Sequence, residues 1–395
     1  IPQISPPPQL KKWQVIFDGV AEGIINPEII GIVKYKIADK REGEIFDVNF
    51  AFQNISTRNF DDTLTVQYTL TNQATRTQTK TYRILDTLKA GDTLFFSYTI
   101  NTLGLAGDND LNVYVNPKIL PEPYITVPEQ YYNNNILQFP FKVLKDNTHP
   151  ILDVTFDGIH IMDRDIVSPT TVISISLKDE NKYLLKTDTV GMEIFLKEPD
   201  AELSRRVYFN GPEEINWIPA GANNKFKIDY SPENEDKMYL TERKPLDDGI
   251  YTLRVEGADV TGNESGVNAY EINFEVINES AITYFYPYPN PFSTCTRFVY
   301  TLTGNDIPDK IKIQIMTVTG KVVREILQDE LGTLRIGKNI TDFQWCGTDE
   351  FGDKLANGVY LYRVFARING EAIKHRDEGA DRGFKRNFGK LYILR

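Results

Sequence analysis

Apolar residues recur at every second position along most of this chain, and that spacing restricts it to β structure. In DTLTVQYTL (62–70), Leu64, Val66, Tyr68 and Leu70 fall on one face and the Thr and Gln residues on the other. This is the pattern of a strand with one wet side. Similar runs of four to eight residues follow one another, each closed by Gly, Asn, Asp or Pro, which supply turns. Aromatics make up 12% of the chain, most of them Tyr and Phe, a bias that favours strands over helices. The best helical candidate, VVREILQDEL (322–331), reads as a strand leading into a turn.

The chain of 395 residues exceeds one ordinary core, so several domains are expected. Residues 1–10, IPQISPPPQL, read as an extended Pro-rich linker. Residues 11–143 carry VIFDGV, EIFDVNFAFQNIS, DTLTVQYTLTNQ, KTYRILDTL, DTLFFSYTI, LNVYVNP and EQYYNNNILQFPFKV, a first β-sandwich. Residues 144–279 form a second, whose VTFDGI echoes the earlier VIFDGV, and residues 280–395 a third. The second and third share a signature, GIYTLRV (249–255) and GVYLYRV (358–364). Asp247, Gly249 and Tyr251 have the spacing of a tyrosine corner, and the third unit has Ala356 in place of the Asp. The fold class is therefore all-β, a tandem of immunoglobulin-like β-sandwich domains.

The net charge of −11 argues against nucleic-acid binding, which needs a basic face. No run reaches the roughly 20 apolar residues of a membrane helix. The sequence opens Ile-Pro with no leader pattern, so it is expected to be a processed product or a piece of something longer. His149, His160 and His375 lie near no nucleophile setting, and no GxSxG, HExxH or phosphate-loop pattern occurs. Cys295 sits at the start of a Ser/Thr-rich strand, far in sequence from any base, so a structural role is expected. Pairing it with Cys346 would close a loop of about 50 residues, worth roughly 3 to 4 kcal/mol. The competing reading is two buried thiols.

Three acidic loops, 107–110, 258–264 and 347–353, offer oxygen ligands for Ca²⁺, with Asp349 and Asp353 as candidates. None has EF-hand spacing, and Asp, Asn and Gly are also ordinary turn residues. No other cofactor is expected. The aromatic clusters YFYPYP (284–289) and EQYYNNN (129–135) suit either sugar stacking or core packing. Near the end, Lys374, Arg376, Arg382, Lys385, Arg386, Lys390 and Arg395 oppose only Asp377, Glu378 and Asp381. The alternating strand that follows is either an edge open to a partner or a strand stitched into its own sandwich.

The third unit resembles a known family. Tyr288-Pro289-Asn290-Pro291-Phe292, Thr296 to Leu302, IKIQIMTVTGKVVREI, Trp345 with Gly347-Thr348-Asp349 and Gly352, and Leu355 to Tyr360 are similar to the FlgD-like immunoglobulin fold. In large surface proteins of the Bacteroidota that fold looks like the C-terminal sorting domain of the type IX secretion system. The closing GKLYILR is similar to the family's terminal motif; Cys346 departs from it, standing where an acidic residue is usual. The resemblance implies recognition through Lys385, Gly389, Lys390, Leu391, Tyr392, Ile393, Leu394 and Arg395 by the type IX translocon and its outer-membrane shuttle protein. It also implies a Gram-negative protein that is secreted or displayed at the cell surface via the periplasm. An oxidised Cys295–Cys346 pair suits that route. The whole arrangement also resembles the non-catalytic stalk of a gingipain-like C25 cysteine peptidase. The function expected is a non-enzymatic region of spacer domains, the first of an adhesion (CARDB-like) type, and a sorting signal. The alternatives are an adhesin holding glycans or other cell-surface proteins, and a peptidase accessory.

Overall fold

The computed structural model of the chain describes residues 9–10, 12–15, 19–31, 37–211, 214–232, 245–376 and 388–395. The chain divides into two compact units, Ile1–Asn147 and Thr148–Arg395. Strands account for 48% of it and helix for 3%, so the fold is all-β.

The first unit contains β1 (Gly23–Ile25), β2 (Lys40–Arg41), β3 (Ile45–Asn54), β4 (Thr65–Asn72), β5 (Gln78–Ile84), β6 (Thr93–Asn101), β7 (Gly107–Val115) and β8 (Ile136–Leu144). One sheet has the order β1-β3-β6 and the other β2-β8-β7-β4-β5. Alternation sends Phe50 and Phe52 of β3 and Phe96 of β6 into one core with Val66, Tyr68, Leu111, Val113, Phe139 and Phe141. Phe50 stacks on Phe96 at 5.3 Å and meets Phe139 edge-on at 5.6 Å. The opposite face of β4 is drier than its sequence implies. Thr65 and Thr69 are buried, and Gln67 Nε2 lies across Thr69 Oγ1 at 3.1 Å. The expected strand at VIFDGV is not seen: Val15, Gly19 and Val20 lie outside any strand, and residues 16–18 are outside the described residues. The first described strand is β1, which pairs with β3.

The second unit begins with β9 (Ile151–Phe156), β10 (Asp165–Val167), β11 (Ile173–Lys178), β12 (Met192–Lys197), β13 (Arg205–Val207), β14 (Glu214–Ile218), β15 (Lys225–Ser231), β16 (Gly249–Gly257) and β17 (Tyr270–Val276). Its sheets, β14-β15-β11-β9 and β10-β17-β16-β12-β13, enclose a core that includes Ile175, Ile194, Phe226, Ile228, Leu253 and Phe274.

A third core follows within the same unit. It is built by β18 (Ala281–Tyr288), β19 (Arg297–Leu302), β20 (Lys310–Thr317), β21 (Val322–Ile326), the one-turn α1 (Gln328–Leu331), β22 (Gly337–Ile340), β23 (Gly358–Ile368), β24 (Glu371–Ala372), β25 (Lys374–His375) and β26 (Gly389–Ile393). One sheet is β22-β19-β18-β25. The other is β21-β20-β23-β24, with β26 also on β23. β26 takes the first half of β23 and β24 the second. VVREILQDEL is thus a strand followed by a single helical turn, which Glu330 Oε2 fixes by accepting the Leu327 N–H at 3.0 Å.

Two tyrosine corners close these sandwiches. Tyr251 donates its hydroxyl to Asp247 O at 3.1 Å, and Tyr360 donates to Ala356 O at 2.9 Å. The acceptor is the backbone carbonyl four residues upstream, so Ala serves as well as Asp.

Candidate functional site: the clasp around the last strand

β26 is held from both sides. On one side it pairs antiparallel with β23, Tyr360 opposite Leu391. On the other the YPNPF loop replaces a strand. Asn290 Nδ2 donates to Lys390 O at 2.9 Å, and Asn290 Oδ1 accepts from Tyr392 N at 2.9 Å. A carboxamide presents an N–H donor and a C=O acceptor at peptide-like spacing, so it satisfies a strand edge as a backbone would. Phe292 continues the job: its N–H donates to Tyr392 O at 3.1 Å and its carbonyl accepts from Leu394 N at 2.9 Å.

The end of the sequence is tied down the same way. Asn357 accepts from Arg395 N at 3.1 Å and donates to Arg395 O at 3.0 Å. The Arg395 guanidinium reaches three carbonyls: Leu355 at 2.9 Å, Cys346 at 2.7 Å and Gly347 at 3.0 Å. A planar fork of donors suits such a set better than an ammonium does. Gly347 has φ +69, and a Cβ there would lie 2.6 Å from Arg395 Nη2, so the seat requires glycine.

Side chains beneath the clasp explain the remaining motif residues. Leu391 and Ile393 are fully buried. Trp345 is buried with Phe292 at 5.6 Å and Tyr360 at 6.4 Å, and its indole N–H donates to Thr348 O at 2.9 Å. Gly389 packs on Tyr362, where a Cβ would come within 2.0 Å of the ring. Tyr362 in turn donates to Phe285 O at 3.3 Å. Motifs separated by up to 102 residues in sequence thus converge on one strand.

Cys295 and Cys346 are joined in a disulfide. Thr296 and Trp345 exchange both backbone hydrogen bonds at 2.9 Å, so the cysteines one step outward form a non-hydrogen-bonded pair, where strands approach most closely. Their Cα atoms are 3.9 Å apart. Both sulfurs are consumed by the bond, so neither acts as a thiolate in this state.

The other sequence candidates occupy separate places. Asp349 Oδ1 accepts from the N–H groups of Phe351 and Asp353, both at 2.9 Å, and so shapes its own turn. Asp259 does likewise with Thr261 and Asn263. His149 bonds Glu264 O at 2.7 Å and His160 pairs with Asp153 at 2.6 Å. His375 lies on β25. In YFYPYP, Phe285 is buried among Phe298, Tyr300 and Tyr362, while Tyr288 is exposed. Lys374 meets Glu279 at 2.9 Å on the surface. Asp377, Glu378, Asp381, Arg382, Lys385 and Arg386 lie outside the described residues.

Sequence reasoning missed Glu129, which is buried in the first unit. It accepts from Gly23 N at 3.0 Å, from Asn135 Nδ2 at 2.8 Å and from Asn116 Nδ2. Burial pushes its carboxyl up to about 7 against those three donors, and Glu22 adds to the rise. A lone Glu before two tyrosines carries no sequence signal of burial.

No family model and no curated protein matches the chain. Among solved structures it is similar to dimeric latent PorU from Porphyromonas gingivalis, at 14% identity and a TM-score of 0.23 over 95% of this chain. The chain spans 34% of that PorU chain. It is also similar to the FN1–FN3 domains of chicken CNTN1, at 10% identity and a TM-score of 0.20, covering 95% of this chain and 99% of that one.

Proposed function

We propose that residues 280–395 are a sorting module recognised by the type IX translocon and its outer-membrane shuttle protein. Residues 11–143 and 144–279 are then non-catalytic spacers of a protein carried through the periplasm and secreted or displayed on a Gram-negative cell. The observation that carries this reading is the clasp. The YPNPF, WCGT and LANG segments spend their polar groups on holding the last strand, and together they present that strand instead of a reaction centre. A disulfide within it suits an oxidising compartment. The test is removal of residues 388–395 from the full-length protein in a bacterium that carries the type IX system. The expected result is accumulation in the periplasm; normal surface display rejects the reading.

A second reading concerns the first unit alone. The outer face of β4, β5, β7 and β8 holds a shallow cavity of about 330 Å³ whose lining includes Gln67, Gln78, Asn112 and Gln138 together with the charged Lys80 and Asp110. Amides and hydroxyls flanked by one cation and one carboxylate match a glycan's hydroxyls, which favours an adhesin role there. Saturable binding of the full chain to a glycan array, lost on Gln67→Ala with Asn112→Ala, is the expected sign; an array without signal counts against it.

A further inference from the structure

Resting on the sorting reading, we propose that the partner reads the outward face of the β20–β23–β26 sheet, a cation–aromatic surface fitted to an acidic protein face. A free strand edge is not what it reads. Pairing of β26 with a partner strand would need an open ladder of N–H and C=O groups. Asn290 and Phe292 occupy that ladder.

The outward face has its own chemistry. Lys310 stands directly opposite Arg367 across β20 and β23, and both are exposed. Like charges so placed cost stability, which is tolerated where an anion is to be met. In the next row Lys312 lies opposite Phe365, its Nζ 5.7 Å from the ring centre. Arg363 sits 4.4 Å from the Phe365 ring and 5.6 Å from Phe388. Below them Lys390 is opposite Leu361 and Tyr392 is opposite Val359. Among the described residues of these strands and β21, Glu325 is the one carboxylate near this face, and it is taken by Lys312 at 2.9 Å. Val359, Phe365 and Tyr392 are exposed apolar groups on the same surface.

On a chain of net charge −11, a face with five cations and solvent-facing rings is complementary to carboxylates and flat apolar groups. The alternation of β26 divides its labour. Leu391 and Ile393 pin the strand, while Lys390 and Tyr392 are free to be read.

The test uses the full-length protein in a type IX-competent bacterium with Lys310→Glu, Arg367→Glu and Lys390→Glu combined. A parallel variant carries Gln at the three positions, which adds no new repulsion. Both variants should lose surface display at least tenfold and accumulate in the periplasm, the Gln variant melting no lower than the parent because the Lys310–Arg367 repulsion is relieved, while Lys390→Arg keeps display. Normal display of the Gln variant, when removal of 388–395 still blocks it, overturns this inference and leaves the sorting reading standing. Display that survives that removal overturns both. Salt-sensitive binding of the purified chain to phosphatidylglycerol vesicles, lost in the Gln variant, assigns the face to lipid and overturns the protein partner.

Discussion

Glu129 shows how a single buried group ties segments together and makes their stability depend on pH. Its carboxyl holds β1 through Gly23, the loop after β7 through Asn116, and the turn at Asn135. Its folded value of about 7 lies above the ordinary 4.5, so the native state binds the proton more tightly than the unfolded chain. Glu129's own contribution to the stability of the first unit is therefore fully present below pH 4.5 and is lost as pH rises to about 7. At about 1.4 kcal/mol per pH unit the span is worth up to roughly 3 kcal/mol. Glu129→Gln should flatten that slope in denaturant melts from pH 4.5 to 7.5 on the full chain; an unaltered slope assigns it to another group. A second residue makes a steric point. Gly389→Ala places a Cβ 2.0 Å from the buried Tyr362 ring. Overpacking of this kind costs about 1 to 3 kcal/mol, so the second unit should melt several degrees lower, and an unchanged melt refutes the contact.

At the scale of elements, the clasp predicts where protection comes from. Asn290→Ala removes both bonds to the β26 backbone but leaves β23 paired on the other side. The loss should be about 1 to 3 kcal/mol, with the peptide covering 388–395 exchanging its amides faster and β23 nearly as before. Equal protection in wild type and variant would show that β23 alone holds the strand. The strands themselves were legible, because burial on one face forces period two; β26 alternates residue by residue, whereas β16 and β23 also carry apolar Ile250, Val359 and Phe365 on their exposed faces. The corner at Tyr360 was only half legible, since its acceptor is a main-chain carbonyl that leaves no mark at Ala356. The clasp was not legible as a contact. Asn290 and Arg395 look like ordinary turn and surface residues until the fold brings partners from 100 and 49 positions away. The alternation of GKLYILR left open whether its edge was bare, because a strand's pattern records its faces and not its neighbours.

At the scale of the molecule, the disulfide lies wholly within the second unit, and the first unit contains no cysteine. Its effect on stability should therefore be confined to one part of the unfolding profile. Closing a loop with a sequence separation of 51 removes entropy from the unfolded chain worth about 4 kcal/mol. The cores are separate: Phe50, Tyr68 and Phe139 pack within the first unit, and Phe285, Trp345 and Ile393 share a core in the unit that holds the bridge. Calorimetry of the full chain should resolve a transition for residues 1–147 that a reductant leaves in place, and one for the second unit that it lowers. Cys295→Ser with Cys346→Ser should reproduce the second shift without reductant. A reductant that moved both transitions equally would show that the units unfold as one cooperative body. A reductant that moved neither would show that the strand pairing of Thr296 with Trp345, rather than the covalent bond, sets the local stability.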